Sequence, residues 1–85
     1  MKSDPMAIKE KVTEYIHQAV HTEKNKVRDD SLIFKEGYFD SMGFITLITY
    51  LEEEFSIRTS DSDLLEENFE SINAITEFVT RKSEA

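Results

Sequence analysis

Three stretches of this 85-residue chain repeat their apolar residues at helical spacing. In the first, Ile8, Val12, Ile16 and Val20 recur every four residues with Tyr15 and Ala19 beside them, while Lys9, Glu10, Lys11 and Glu14 fall mostly on the other side. Residues three and four apart share a helix face, so this stretch predicts an amphipathic helix with one buried stripe. Asp4 is a good N-cap and Pro5 suits the first helical position, where its missing N–H costs nothing. The polar run from His21 to Asp30 ends the periodicity, which puts the helix at about residues 5–21. In the second stretch, Phe44, Leu47, Ile48, Leu51 and Phe55 predict a helix over 41–55, begun at Asp40 or Ser41 and closed by Ile57 after Ser56. In the third, Ile72, Ile75, Phe78 and Val79 behind the N-cap Ser71 predict a helix over 72–81, with a fraying tail. Between the last two, Ser60-Asp61-Ser62-Asp63 is rich in capping residues and precedes Leu64-Leu65. It predicts a short third helix over about 61–67, interrupted by Asn68 and Phe69.

A loop from about Val27 to Asp40 joins the first two helices and carries Leu32, Phe34, Tyr38 and Phe39. Loops of this length are usually functional or disordered, and four large apolar residues argue for a loop pinned to the helices. Only two Gly and one Pro occur in the chain, too few breakers for a turn-rich β fold. The expected fold class is therefore all-α: a four-helix bundle with three longer helices and one short third helix, in a single domain over residues 1–85 with no internal repeat.

Composition narrows the function. With 10 Lys plus Arg against 18 Asp plus Glu, the formal net charge is -8. Residues 1–28 hold six basic and four acidic side chains, and residues 29–85 hold four and fourteen, so the acidity belongs to the last two-thirds. Such a balance disfavours nucleic acid and anionic membranes, which reward Lys and Arg, and favours basic protein surfaces as partners. The absence of Cys removes disulfides and thiolate chemistry and fits a reducing compartment. No apolar run approaches the length of a membrane span, and the N-terminus lacks a signal-like segment, so a soluble cytoplasmic protein is expected.

The stretch Gly37-Tyr38-Phe39-Asp40-Ser41-Met42 is the most informative chemically. It places a serine after an acid, at the end of a long loop and the start of an amphipathic helix, where its hydroxyl is expected to be exposed. A phosphate there would sit by the free N–H groups and positive dipole end of the helix. Asp40 suits both helix capping and the metal of an incoming nucleotide-like donor. By itself, Asp-Ser before an apolar run is an ordinary helix start.

The order of elements adds to this. From the first helix to Val79, and most sharply over Phe34–Phe55 (FKEGYFDSMGFITLITYLEEEF), the chain resembles the acyl carrier protein superfamily, which includes peptidyl, aminoacyl and D-alanyl carriers. Asp61 and Asp63 match the acidic start of that family's third helix, and Phe69-Glu70-Ser71-Ile72 resembles the approach to its fourth. The resemblance implies that Ser41 carries 4'-phosphopantetheine, donated by coenzyme A, and that Asp40 and Met42 are read by a phosphopantetheinyl transferase. It also implies that the chemistry belongs to the arm's terminal thiol, which suits a chain without Cys, and nothing beside Ser41 supplies a catalytic base. A carrier rather than an enzyme is expected.

Subtype is indicated by departures from the pattern. Fatty-acid carriers usually bear acids just after the modified serine, where this chain has Gly43 and Thr46, and Phe44 replaces a smaller residue. The partner-facing surface is therefore expected to be the less acidic set Met42, Ile45, Thr46 and Thr49, with Glu53 as a charged contact. This favours a stand-alone carrier in a polyketide, nonribosomal peptide, siderophore or D-alanyl pathway, served by a loading enzyme and a downstream synthase or transferase and working as a monomer. The alternatives are a housekeeping fatty-acid carrier and an unmodified helical interaction module. The third-helix region is expected to be a residue or two longer than in the fatty-acid form, which questions a gating role for it. Three other features read as structural. Glu52 and Glu54 fit a solvated helix face, His17 and His21 fit solvent-exposed histidines since zinc needs a third ligand, and Asp61-Ser62-Asp63 lacks the Gly and spacing of a calcium loop.

Overall fold

The three apolar stripes become helices that turn them toward a common core. The computed structural model describes residues 4–20 and 27–84, and among these there is no strand. Helix α1 spans Pro5–Ala19, and the Asp4 carboxylate accepts the Met6 N–H at 3.1 Å. It stops short of the expected end because Val20 turns extended as its C-cap; His21 lies outside the described residues. Helix α2 spans Ser41–Phe55, as its stripe predicts, with Asp40 as N-cap. Ser56 ends it in the left-handed region at φ 54°, and Ile57 folds back into the core. Of the expected α2 stripe, Leu47 and Leu51 are fully buried, whereas Phe44, Ile48 and Phe55 pack against the core with part of their surface exposed.

The expected third helix over 61–67 is corrected by the structure. Asp61–Asp63 form a 3-10 turn, Leu64 and Leu65 break it, and helix α3 is only Glu66–Phe69. Asn68 and Phe69, expected to interrupt a helix, lie within this one. The reason is in the side chains. The Asp63 carboxylate accepts from the Ser60 N–H at 3.0 Å and the Ser60 hydroxyl at 3.1 Å, and it pairs with Lys82 at 2.8 Å. With Leu64 and Leu65 40% and 48% exposed, no apolar stripe rewards a continuous helix here.

Helix α4, Ile72–Glu84, runs three residues past its expected end. The polar tail holds its helical form because Lys82 reaches Asp63 and Arg81 donates to the Asn68 side-chain Oδ1 at 3.2 Å, so tertiary partners replace the missing apolar stripe. The α4 stripe of Ile72, Ile75, Phe78 and Val79 is buried, and α4 lies against α1, α2 and α3. Helices α1 and α2 are tied at their outer faces by the Tyr15–Tyr50 stack, with ring centroids 4.1 Å apart, and by Lys11–Glu54 at 2.6 Å.

The loop before α2 is held by a residue that the sequence pattern did not single out. Ile33 is fully buried, its N–H donates to the Glu70 carbonyl at 2.9 Å, and its own carbonyl accepts the N–H groups of Tyr38 at 2.9 Å and Phe39 at 3.0 Å. A second tie runs from the Asn73 N–H to the Asp29 carbonyl at 3.0 Å. Gly37 makes the reversal between Ile33 and Phe39 at φ +84°, a conformation that side chains rarely adopt. His17, expected to be solvent-exposed, is half-buried, with Nε2 donating to the Val27 carbonyl at 3.1 Å, which fastens the start of the loop to α1.

Two outcomes follow for stability. Ile33→Ala is expected to cost about 2–5 kcal/mol, the usual range for an emptied Ile site, measured by urea unfolding against wild type. Hydrogen bonds from Lys82 and Ser60 lower the Asp63 pKa from its ordinary 3.8 to about 2. Its contribution is thus complete above about pH 3.8 and is lost as pH falls toward 2. Thermal unfolding of Asp63→Asn should show a shallower acid-side decline than wild type across that window, and parallel curves would remove the latch from the account of α4.

Candidate functional site

The site begins with a cap. The Asp40 carboxylate accepts the Gly43 N–H at 2.9 Å, which fixes where α2 starts and makes Ser41 its first residue. Behind this cap the chain is crowded: a Cβ on Gly43 would stand 2.8 Å from the Phe39 ring, so a bare backbone at 43 lets the buried ring and the cap share the same turn. Ser41 itself is exposed, and its hydroxyl makes no hydrogen bond to another described residue. The first N–H groups of a helix have no partner within it and carry its positive end, so an anionic group on this hydroxyl would be well placed.

The surface around Ser41 is mostly apolar. Met42 and Ile45 are 70% and 58% exposed, unusual for large apolar side chains. Thr46 and Thr49 are exposed on the same side of α2, but their hydroxyls donate back to the carbonyls of Met42 at 3.0 Å and Ile45 at 3.1 Å. They therefore offer a partner chiefly methyl surface. Glu53, a further turn along, is exposed. The expected partner-facing residues Met42, Ile45, Thr46, Thr49 and Glu53 thus form one outward strip of α2 leading away from Ser41.

The neighbouring glutamates divide differently from expectation. Glu52 does not belong to a solvated face: its carboxylate accepts the Thr59 N–H at 2.9 Å and the Thr59 hydroxyl at 2.8 Å, and these bonds hold its pKa below the ordinary value. It closes the turn after α2. Glu54, which pairs with Lys11, is also committed to the fold. Among the described residues, no group of three or more His, Asp or Glu is arranged to hold a metal ion, and no helix is long and apolar enough to cross a membrane.

Adjoining the strip at Ile45 lies a cleft of about 530 Å³ between α2 and the α3 segment. Phe34, Phe44, Ile45 and Leu64 line it together with Ser41, and Glu66 contributes from α3. Sequence reasoning missed Leu64 and Glu66 as neighbours of the serine. The one signal available was an apolar pair, Leu64-Leu65, without helical partners. Beneath the cleft the interior is filled by rings in edge contact: Phe34 with Phe44 at 5.6 Å, Phe44 with Phe69 at 5.4 Å, and Phe69 with Phe78 at 4.8 Å between centroids.

The surroundings of Ser41 fit a bulky phosphodiester: a free hydroxyl, open space on both sides and unpaired N–H groups at the helix start. Comparison with known proteins gives the family. Residues 10–79 match the family model described as the phosphopantetheine attachment site. The chain is 36% identical to a D-alanyl carrier protein of Streptococcus sanguinis over 88% of this chain and 94% of that one. It is 37% identical to an acyl carrier protein homolog of Mycoplasmopsis pulmonis over 92% of this chain and 99% of that one. A third relative, an acyl carrier protein of Buchnera aphidicola, is 28% identical over 87% of this chain and 92% of that one. With the family matched over most of its length on an all-helical fold, this chain belongs to the phosphopantetheine-dependent carrier proteins, whose members hold cargo on covalently bound 4'-phosphopantetheine and present it to enzymes without catalysing its reactions.

Proposed function

We propose that Ser41 is the attachment point of the arm and that the protein is a discrete carrier of the D-alanyl type, loaded in the cytoplasm with a small amino acid. The observation that carries the attachment reading is the exposed, uncommitted Ser41 hydroxyl at the first position of α2, directly after the Asp40 cap. In this reading the hydroxyl oxygen attacks the phosphorus of coenzyme A that bears the pantetheine. An O–P bond forms, the pyrophosphate P–O bond breaks, and adenosine 3',5'-bisphosphate leaves. The serine proton goes to a base of the phosphopantetheinyl transferase, since Asp40 is engaged with the Gly43 N–H. Asp40 and Met42 flank the nucleophile, one holding the helix start and one offering exposed apolar surface to the transferase. Once attached, the arm supplies a thiol that holds cargo as a thioester.

Support for the D-alanyl type comes from two sides. Relatives of that name align with nearly their whole length. Just after Ser41 the chain has Gly43 and Thr46 where a fatty-acid carrier usually bears acids, and the outward strip is otherwise Met42, Ile45 and Thr49. An adenylating enzyme that loads the amino acid and a downstream transferase that removes it are the partners of this reading, and both meet the strip and Glu53.

The attachment is tested by intact mass before and after incubation with coenzyme A, magnesium and a broad-specificity phosphopantetheinyl transferase. Wild type is expected to gain one phosphopantetheine and Ser41→Ala none; a folded wild type that gains nothing would return the protein to the class of unmodified interaction modules. For the partner strip, Ile45→Glu is expected to leave the circular dichroism unchanged and to lower kcat/KM for loading by a D-alanine-adenylating enzyme about tenfold, equivalent to ~1.4 kcal/mol of lost docking energy. Loading by a malonyl transferase instead would place the protein with fatty-acid or polyketide carriers.

A further inference from the structure

The outer faces of α1 and α2 are tied by the Tyr15–Tyr50 stack, by Lys11 with Glu54, and by the Tyr50 hydroxyl, which donates to the Lys11 carbonyl at 3.3 Å. Two recesses beside that tie share Tyr15 as a wall. One, of about 310 Å³, lies between Tyr15 of α1, Tyr38 and Phe39 of the loop, and Asp40, Gly43 and Thr46 at the start of α2. The other, of about 280 Å³, is lined by Glu14, Tyr15 and Gln18 of α1 with Tyr50 and Glu54 of α2. Successive helix positions turn by about 100°, so Gly43 and Thr46 stand on the flank of α2 opposite Ser41 and Ile45, which line the cleft. We infer that the α1–α2 groove formed by these recesses seats an arginine side chain of a partner enzyme, its guanidinium against the Tyr15 and Tyr38 rings and paired with the Asp40 carboxylate, with Glu14 adding to the attraction. The inference rests on the reading of the α2 strip as the partner face, since Thr46 belongs to both strip and groove, and is independent of the attachment at Ser41.

The groove is built for a cation. No Lys, Arg or His among the described residues lines the Asp40 recess, and Lys11, at the neighbouring one, is already paired with Glu54 at 2.6 Å. Glu14 is exposed and makes no hydrogen bond or ion pair with another described residue. Burial raises the Tyr50 pKa, and the charges of Glu54 and Glu14 raise it further, which shows the sign of the field along the groove. Capping does not use up Asp40: its Oδ1 takes the Gly43 N–H, and a carboxylate has sites for further donors. Aromatic faces attract cations, and the planar, weakly hydrated guanidinium can stack on a ring while it pairs with a carboxylate. A lysine ammonium is a compact, strongly hydrated point charge and gains less from such a site. A recess of about 310 Å³ admits one side chain and not a helix, so the partner meets the strip with its own backbone and the groove with a single long residue.

The test uses the full-length protein and three blocked amino acids: N-acetyl-arginine amide, its lysine counterpart, and N-acetyl-citrulline amide, which keeps the planar end of arginine without the charge. Amide ¹H–¹⁵N spectra follow each titration at constant ionic strength. The arginine probe is expected to shift the signals of Tyr15, Tyr38, Gly43 and Thr46 and to bind about five- to tenfold more tightly than the citrulline one, the combined range of an exposed cation–π contact and an exposed ion pair. Glu14→Gln breaks no bond within the described fold, and it should weaken the arginine probe about twofold while leaving the citrulline one unchanged. Tyr15→Leu, checked for folding by circular dichroism, should abolish the preference for arginine. In loading by the adenylating enzyme the same variant should raise the KM for the carrier about two- to fivefold with kcat unchanged. Arginine bound no more tightly than citrulline, lysine bound as tightly as arginine, or shifts outside the groove would overturn the inference and leave the strip and the attachment intact. So would an unchanged KM where Ile45→Glu impairs loading. Undiminished loading in both variants would overturn the strip, and the groove's role with it.

Discussion

The fold depends on how one residue holds the long loop ahead of α2. Ile33 is buried among the helices, gives its N–H to Glu70 and receives the N–H groups of Tyr38 and Phe39 on its carbonyl. A single residue, through its backbone, thus joins the loop to the approach to α4 and sets the reversal that delivers Phe39 and Asp40. The position of Ser41 follows, because Phe39 is buried against the core and Asp40 caps the helix that Ser41 begins. Buried polar backbone would be costly here without partners, and the loop finds them in itself and in the α3–α4 junction.

Around this anchor the molecule separates rigidity from exposure. The interior is a run of edge-packed phenylalanines, while the surface around Ser41 presents a free hydroxyl, two large exposed apolar side chains and an open cleft. A carrier benefits from that division. Its attachment point must be open to several enzymes in turn, yet must not move with each of them. The net charge of -8 suits encounter with basic surfaces.

The segment between α2 and α4 is organised by a different kind of force. Between Ile57 and Phe69 it buries little, and its shape comes from Asp63, which gathers Ser60 and Lys82, and from Asn68, which donates to the Asp63 carbonyl at 2.8 Å and accepts from Arg81. These polar ties stand Leu64 and Glu66 beside the cleft at Ser41. The wall of the cleft beside Ser41 is therefore placed by the far end of α4.

What was legible in the sequence is what is encoded within a helical turn or two. The 3.6-residue stripes, the caps at Asp4, Asp40 and Ser71, and the Asp40-Ser41 junction all act between near neighbours, and α2 begins and ends where they say. The resemblance to the carrier family drew on this same local order. The course of the loop, the splitting of the third helix, the extra turn of α4 and the meeting of Leu64 and Glu66 with Ser41 were settled only in three dimensions. Each rests on partners far apart in the chain, such as Asp63 with Lys82, 19 residues on, or Ile33 with Glu70. Local pattern cannot specify such pairings, since an isolated Asp or Ile looks the same whether or not a distant group arrives to meet it.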